Sequence, residues 1–297
     1  MRPVRALAVY IIVVFVGAAL LAPGLYALAQ AFQGTFPGLA GEPFHRFVNR
    51  SLLILALAGL WPLFRAIGAG SPADLGLVKP AGHGKELGSG FVLGFVSLAL
   101  LAGLALATGA RDINEKLAIA RLLQKLLGAA GTAVVVSVLE EILFRGGIFG
   151  SLRRVFPWIA ALVLSSAIYA IVHFMESARV HPPIHWYSGF EVLRRMLRGF
   201  ADWHAIVPGF FNLTLAGLIL GLAYQRTGNL YFSIGLHAGW IFWLKFYRAA
   251  TVSVTGANEW WWGTHKLIDG WAATPVLVAA LWLLPRLLPL RKSSAAP

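Results

Sequence analysis

The chain of 297 residues contains no cysteine. Disulfides, thiolate metal sites and a cysteine nucleophile are therefore excluded. Charge is scarce as well: charged residues make up 12% of the sequence and hydrophobic ones 58%, where a soluble domain carries about 25% charged. Acids are the scarcer sign, with 12 Asp and Glu against 25 Lys and Arg. A basic excess can point to nucleic acid. Here the Lys and Arg are scattered through the links between apolar segments, as anchoring at anionic lipid surfaces requires. The expected surroundings are a lipid bilayer, with no nucleic-acid partner. Internal repeats are also missing, which weakens a transporter built from repeated halves.

Apolar sequence is what the chain has in quantity. Runs approaching the roughly 20 residues that cross a bilayer lie near 6–31, 48–67, 89–109, 127–149, 157–175, 206–225, 230–248 and 271–290. The reading is an all-α, polytopic transmembrane helical bundle of about eight spans, one integral membrane domain over 1–297. The first run extends from Ala6 to about Phe32, too long for the apolar core of a signal peptide, and reads as a retained helix. Two connections, Ile113 to Leu127 and Phe190 to Trp203, read as interfacial amphipathic helices. In the second, Phe190, Leu193, Leu197 and Phe200 are expected on one side, against Arg194, Arg195, Arg198 and Asp202. The basic ends (Arg2 and Arg5; Arg291 and Lys292) and Arg153–Arg154 favour both termini inside.

Against this apolar background, Glu140 and Glu141 stand side by side in the fourth run. An ionisable group at mid-bilayer costs roughly 2.5–3.5 kcal/mol on insertion scales. Glu141 and Arg145 are four residues apart with the acid first, the favoured order for a helical ion pair. Glu140 and Arg145 are five apart and about 140° around the helix, so Glu140 is left on an adjoining face, available for proton transfer. A buried Glu–Arg pair beside a protonated, hydrogen-bonded neighbour would satisfy the same residues. Tyr169 and His173 share one face of the next run, and His237 opens a glycine-rich segment. Each histidine by itself fits a packing role more readily than a chemical one. Gly217 and Gly221 form a small-xxx-small face suited to close helix packing.

Taken together, Glu140-Glu141-x-x-x-Arg145, then Tyr169-x-x-x-His173, then a Gly-rich helix, the turn Arg226-Thr227-Gly228 and His237-Ala238 resemble the CAAX-protease and bacteriocin-processing family. These are intramembrane proteases related to the type II CAAX prenyl endopeptidase. The resemblance covers about Val134 to Trp243, and the region 127–248 is expected to be the catalytic core. It implies an intramembrane endopeptidase of a bacterial inner (cell) membrane that hydrolyses a peptide bond in a membrane-embedded or lipidated peptide. Glu140 and His173 would activate a water, and His237 would stabilise the tetrahedral oxyanion. Glu141 and Arg145 would support the site. A glutamate and two histidines (Glu140, His173, His237) also match a zinc ligand set, although the chemistry works formally without metal.

Two positions depart from the family pattern. Tyr169 stands where phenylalanine is usual and adds a hydroxyl to an aromatic expected to pack. Ile241 stands where asparagine is usual and removes a donor for the oxyanion; Asn212 is one candidate to replace it. The second reading is a non-proteolytic membrane scaffold or immunity-type partner that keeps the fold, a reading that Ile241 favours.

Overall fold

The computed structural model describes residues 2–115, 117–175, 178–201 and 203–288. Lys116, Asp202, Arg291 and Lys292 lie outside the described residues. Each apolar run forms a helix: α1 (Arg2–Ala31), α2 (Phe44–Ala66), α3 (Gly84–Ala107), α4 (Ile119–Glu141), α5 (Trp158–His173), α7 (Trp203–Thr227), α8 (Tyr231–Ala250) and α9 (Ala273–Leu287). The shorter α6 is Ser188–Met196. Among the described residues, five helices are long and apolar enough to cross a bilayer, at Pro3–Ala31, Phe44–Ala66, Gly84–Ala107, Ile119–Leu152 and Ile206–Thr227. Trp158–His173 and Ala273–Leu287 are apolar but shorter. The chain is a polytopic helical bundle. Exposed apolar side chains such as Ile12, Leu100 and Val134 suit a lipid solvent.

The helices sort into two compact units. The first comprises Met1–Gly70 and Ile171–Asp202. Here Tyr10 donates its hydroxyl to the Ala56 carbonyl at 2.8 Å, joining α1 to α2. Phe44, Phe47, Val48, Val192 and Met196 form a buried core with Ala22 and Ala29 of α1, and Tyr26 meets both phenylalanines edge-on. Gly189 lets α6 lie directly on α1, since a Cβ there would collide with the Ala19 backbone.

The second unit comprises Ser71–Ala170 and Trp203–Pro297. At its centre is α8, buried continuously from Phe232 to Ile241. Its faces have different partners. Gly235 and Gly239 turn to α3, where Gly90 and Gly94 answer them: a Cβ at any of the four would strike backbone of the other helix. Trp240 then donates its indole N–H to Ser97 at 3.0 Å. His237, about 200° around the helix from Gly235, shares the opposite face with Ile241. Ile241 packs on Ala133 of α4. Elsewhere Gly217 and Gly221 of α7 take Ser166 and Leu162 of α5 at close range, the use that their spacing suggests.

One expected helix is corrected. Ile113 to Leu127 is not a separate surface helix. Arg111–Ile113 is a strand, β1, antiparallel to β2 (Thr251–Ser253) in the register Arg111↔Ser253. The Arg111 guanidinium donates to the Thr251 hydroxyl at 3.0 Å and lies over the Tyr247 ring. From Ile119 the chain is already α4, because a leucine-rich stretch without a helix breaker continues unbroken into the span. The other surface helix forms as α6 followed by a 3-10 turn at Leu197–Phe200. Gly189, Val192 and Met196 are buried, whereas Phe190, Leu197 and Phe200 are exposed. Close contact at Gly189 sets that rotation.

Candidate active site

The site begins with a stripe on α4. Ala129, Ala133, Ser137 and Glu141 follow one another at four-residue intervals and are its buried residues. Small side chains bring α8 close, and the stripe ends on a carboxylate with no solvent exposure. Glu140, one residue earlier, is turned about 100° away and its side chain is 26% exposed. After the glutamates the backbone widens into a π-helix, Ile142–Phe149, a winding frequent at functional sites.

Arg145 lies in this π segment and is buried. It donates to Glu141 Oε1 at 2.9 Å and to the Gly217 carbonyl at 3.3 Å. Its guanidinium also lies 4.8 Å from the centre of the Tyr169 ring. Glycine at 217 lets α7 approach α5 at Ser166, and in the same place α7 offers Arg145 a carbonyl acceptor.

From the other side α8 delivers His237. Its Nδ1 is 2.8 Å from Glu141 Oε1, the same oxygen that Arg145 contacts. A carboxylate only accepts, so Nδ1 is the donor and the tautomer is fixed by this bond. Nε2 faces the remaining groups: Glu140 Oε2 at 3.8 Å and the Tyr169 hydroxyl at 3.4 Å. Tyr169 is itself buried, with Phe144 edge-on at 5.0 Å.

The structure thus gathers Glu140, Glu141, Arg145, Tyr169 and His237 within the second unit. His173 is the last residue of α5, one turn beyond Tyr169, and is exposed. Ile241 is committed to apolar packing. Asn212 is corrected as a replacement donor. Its amide protons go to the carbonyls of Ile268 at 2.9 Å and Gly270 at 2.8 Å, and its oxygen accepts from Thr274 at 2.8 Å. It ties α7 to the segment leading into α9.

Two features were not read from the sequence. One is the shared carboxylate oxygen between His237 and Arg145, which no spacing encodes. The other is the glycine pair on α3, for which Gly90-x-x-x-Gly94 facing Gly235-x-x-x-Gly239 was the available signal. As for metal, no three His, Asp or Glu side chains among the described residues are arranged to hold an ion. Both ring nitrogens of His237 are engaged by protein groups. No step below runs through a metal.

Residues 122–243 match the family described as Type II CAAX prenyl endopeptidase Rce1-like. No curated protein and no solved structure matches the chain. The matched segment contains the glutamate pair, Arg145, Tyr169, His173 and His237. That segment is similar to type II CAAX prenyl endopeptidases, in a chain whose apolar helices make it an integral membrane protein.

Proposed function

We propose, from the premise that residues 122–243 are a CAAX prenyl endopeptidase-like segment, that this protein hydrolyses a peptide bond of a membrane-embedded or lipidated peptide in the cell membrane. The observation that carries the reading is the division of labour within the glutamate pair. Glu141 is fully buried and bound by Arg145 and His237, whereas Glu140 keeps partial exposure beside Nε2 of the same histidine.

In this reading Glu140 is the general base. It orients a water and takes one of its protons as the oxygen attacks the scissile carbonyl carbon. The carbonyl electrons move onto oxygen, where His237 receives the developing charge. Collapse of the tetrahedral species breaks the C–N bond, and the proton held by Glu140 passes to the departing amine. Glu141 and Arg145 hold the imidazole in place. A polar set inside an apolar bundle suits this chemistry, because preformed dipoles act strongly where water is excluded.

The scaffold reading keeps one supporting observation: Ile241, one turn after His237, offers no donor and packs against Ala133. Reconstitution decides between them. Purified protein in liposomes is given a synthetic peptide ending in prenylated Cys-aliphatic-aliphatic-X, and products are read by mass spectrometry. Cleavage by the wild type and none by Glu140→Gln supports the protease. Equal absence of cleavage with this peptide and with membrane-peptide extracts leaves the scaffold.

A further inference from the structure

The hydroxyl of Tyr169 has a place in the site that packing does not require. Arg145 and Phe144 hold the ring through its face and edge, and a phenyl ring would make both contacts. Yet the oxygen is brought to 3.4 Å from His237 Nε2, on the side of the imidazole opposite Glu141. Two donors at that separation can share one acceptor, because an oxygen about 2.8 Å from each completes the triangle at ordinary hydrogen-bond length. Other candidates for a second donor are committed elsewhere: Asn212 to Ile268 and Gly270, Arg145 to Glu141 and Gly217. Ile241 has none to give.

We propose that Tyr169 is a catalytic residue of this site, its hydroxyl and His237 Nε2 forming a two-donor hole for the oxyanion that develops on the substrate carbonyl. The inference rests on the peptidase reading above. In the resting site Nδ1 donates to Glu141, and the Tyr169 hydroxyl donates to Nε2 whenever that nitrogen carries a lone pair. When a carbonyl oxygen enters, the hydroxyl turns to it. The proton that Glu140 takes from the water is relayed to Nε2, 3.8 Å from Glu140 Oε2; Nε2–H then donates to the oxyanion and returns the proton through Glu140 to the departing amine. The ring cannot swing, since it is clamped between Arg145 and Phe144, so the donor is preorganised at no cost during reaction.

The test is Tyr169→Phe, which deletes one oxygen and keeps the packing. With the prenylated peptide in liposomes, kcat should fall on the order of 100-fold, as for loss of one oxyanion donor. KM and the thermal midpoint should stay unchanged. A kcat equal to wild type overturns the inference, and so does a kcat that falls only together with the thermal midpoint, which would mean packing. A second readout does not depend on turnover. In protein labelled with ¹⁵N-histidine, the His237 Nε2 resonance, assigned by its loss in His237→Gln, should shift in Tyr169→Phe; an unmoved resonance overturns the contact. Absence of wild-type cleavage removes the peptidase reading itself, whereas full activity in Tyr169→Phe removes this inference alone.

Discussion

Glu141 Oε1 accepts from both Arg145 and His237, at 2.9 and 2.8 Å. One buried oxygen therefore joins a salt bridge within the α4 rod to the imidazole of α8. It sets the histidine tautomer, and it makes the two adjacent glutamates unequal.

Glu141→Gln should destabilise the protein by about 3–5 kcal/mol, the usual cost of removing one partner of a buried ion pair. Glu140→Gln should change stability by less than about 1 kcal/mol, since its side chain is partly exposed. Thermal or denaturant unfolding in detergent compares them. Equal midpoints would contradict the structural role of Glu141.

Activity should respond in a different order. Glu140→Gln should lower kcat at least 100-fold, the lower range for loss of a general base, in protein that still inserts and folds. His237→Gln should lose a similar amount. Progress curves with the prenylated peptide check both, and an active Glu140→Gln would move the base elsewhere.

Asn212→Ala should cost stability without touching chemistry. Three hydrogen bonds are lost and two carbonyls are left without this donor, a penalty of about 2–3 kcal/mol. Turnover per folded molecule should match wild type. A selective loss of kcat with unchanged unfolding would return Asn212 to the site.

Gly94→Ala tests the packing that carries His237 into position. Its Cβ would strike the Leu236 carbonyl, one residue before the histidine, so helix separation must increase. We expect a loss of about 1–3 kcal/mol, as for overpacking. Gly103→Ala, on the same helix with open space around it, should be neutral or stabilising. The two unfolding midpoints should separate; if they coincide, the glycine contacts between α3 and α8 do not matter to stability.

Much of this was legible in the sequence, for local reasons. The long apolar runs specify helices because a bilayer leaves few other ways to satisfy the backbone. The four-residue interval between Glu141 and Arg145 places them together on any helical winding of that stretch. The Gly217 and Gly221 spacing announces a close helix contact.

Tertiary structure decided the rest, because it depends on contacts between residues far apart in the chain. Nothing near His237 in sequence indicates that it will meet Glu141, 96 residues away; glycines on α3 and α8 and alanines on α4 bring the helices close enough. The pairing of Arg111–Ile113 with Thr251–Ser253 put a strand where the expected surface helix begins, and from Ile119 the rest of that segment became the start of α4. Asn212 looks like an available amide in sequence, and only the fold reveals that both its protons are taken. Tyr169 shows the same division: its ring could be read as packing from helical position alone, but the target of its hydroxyl is set by where a separate helix places an imidazole.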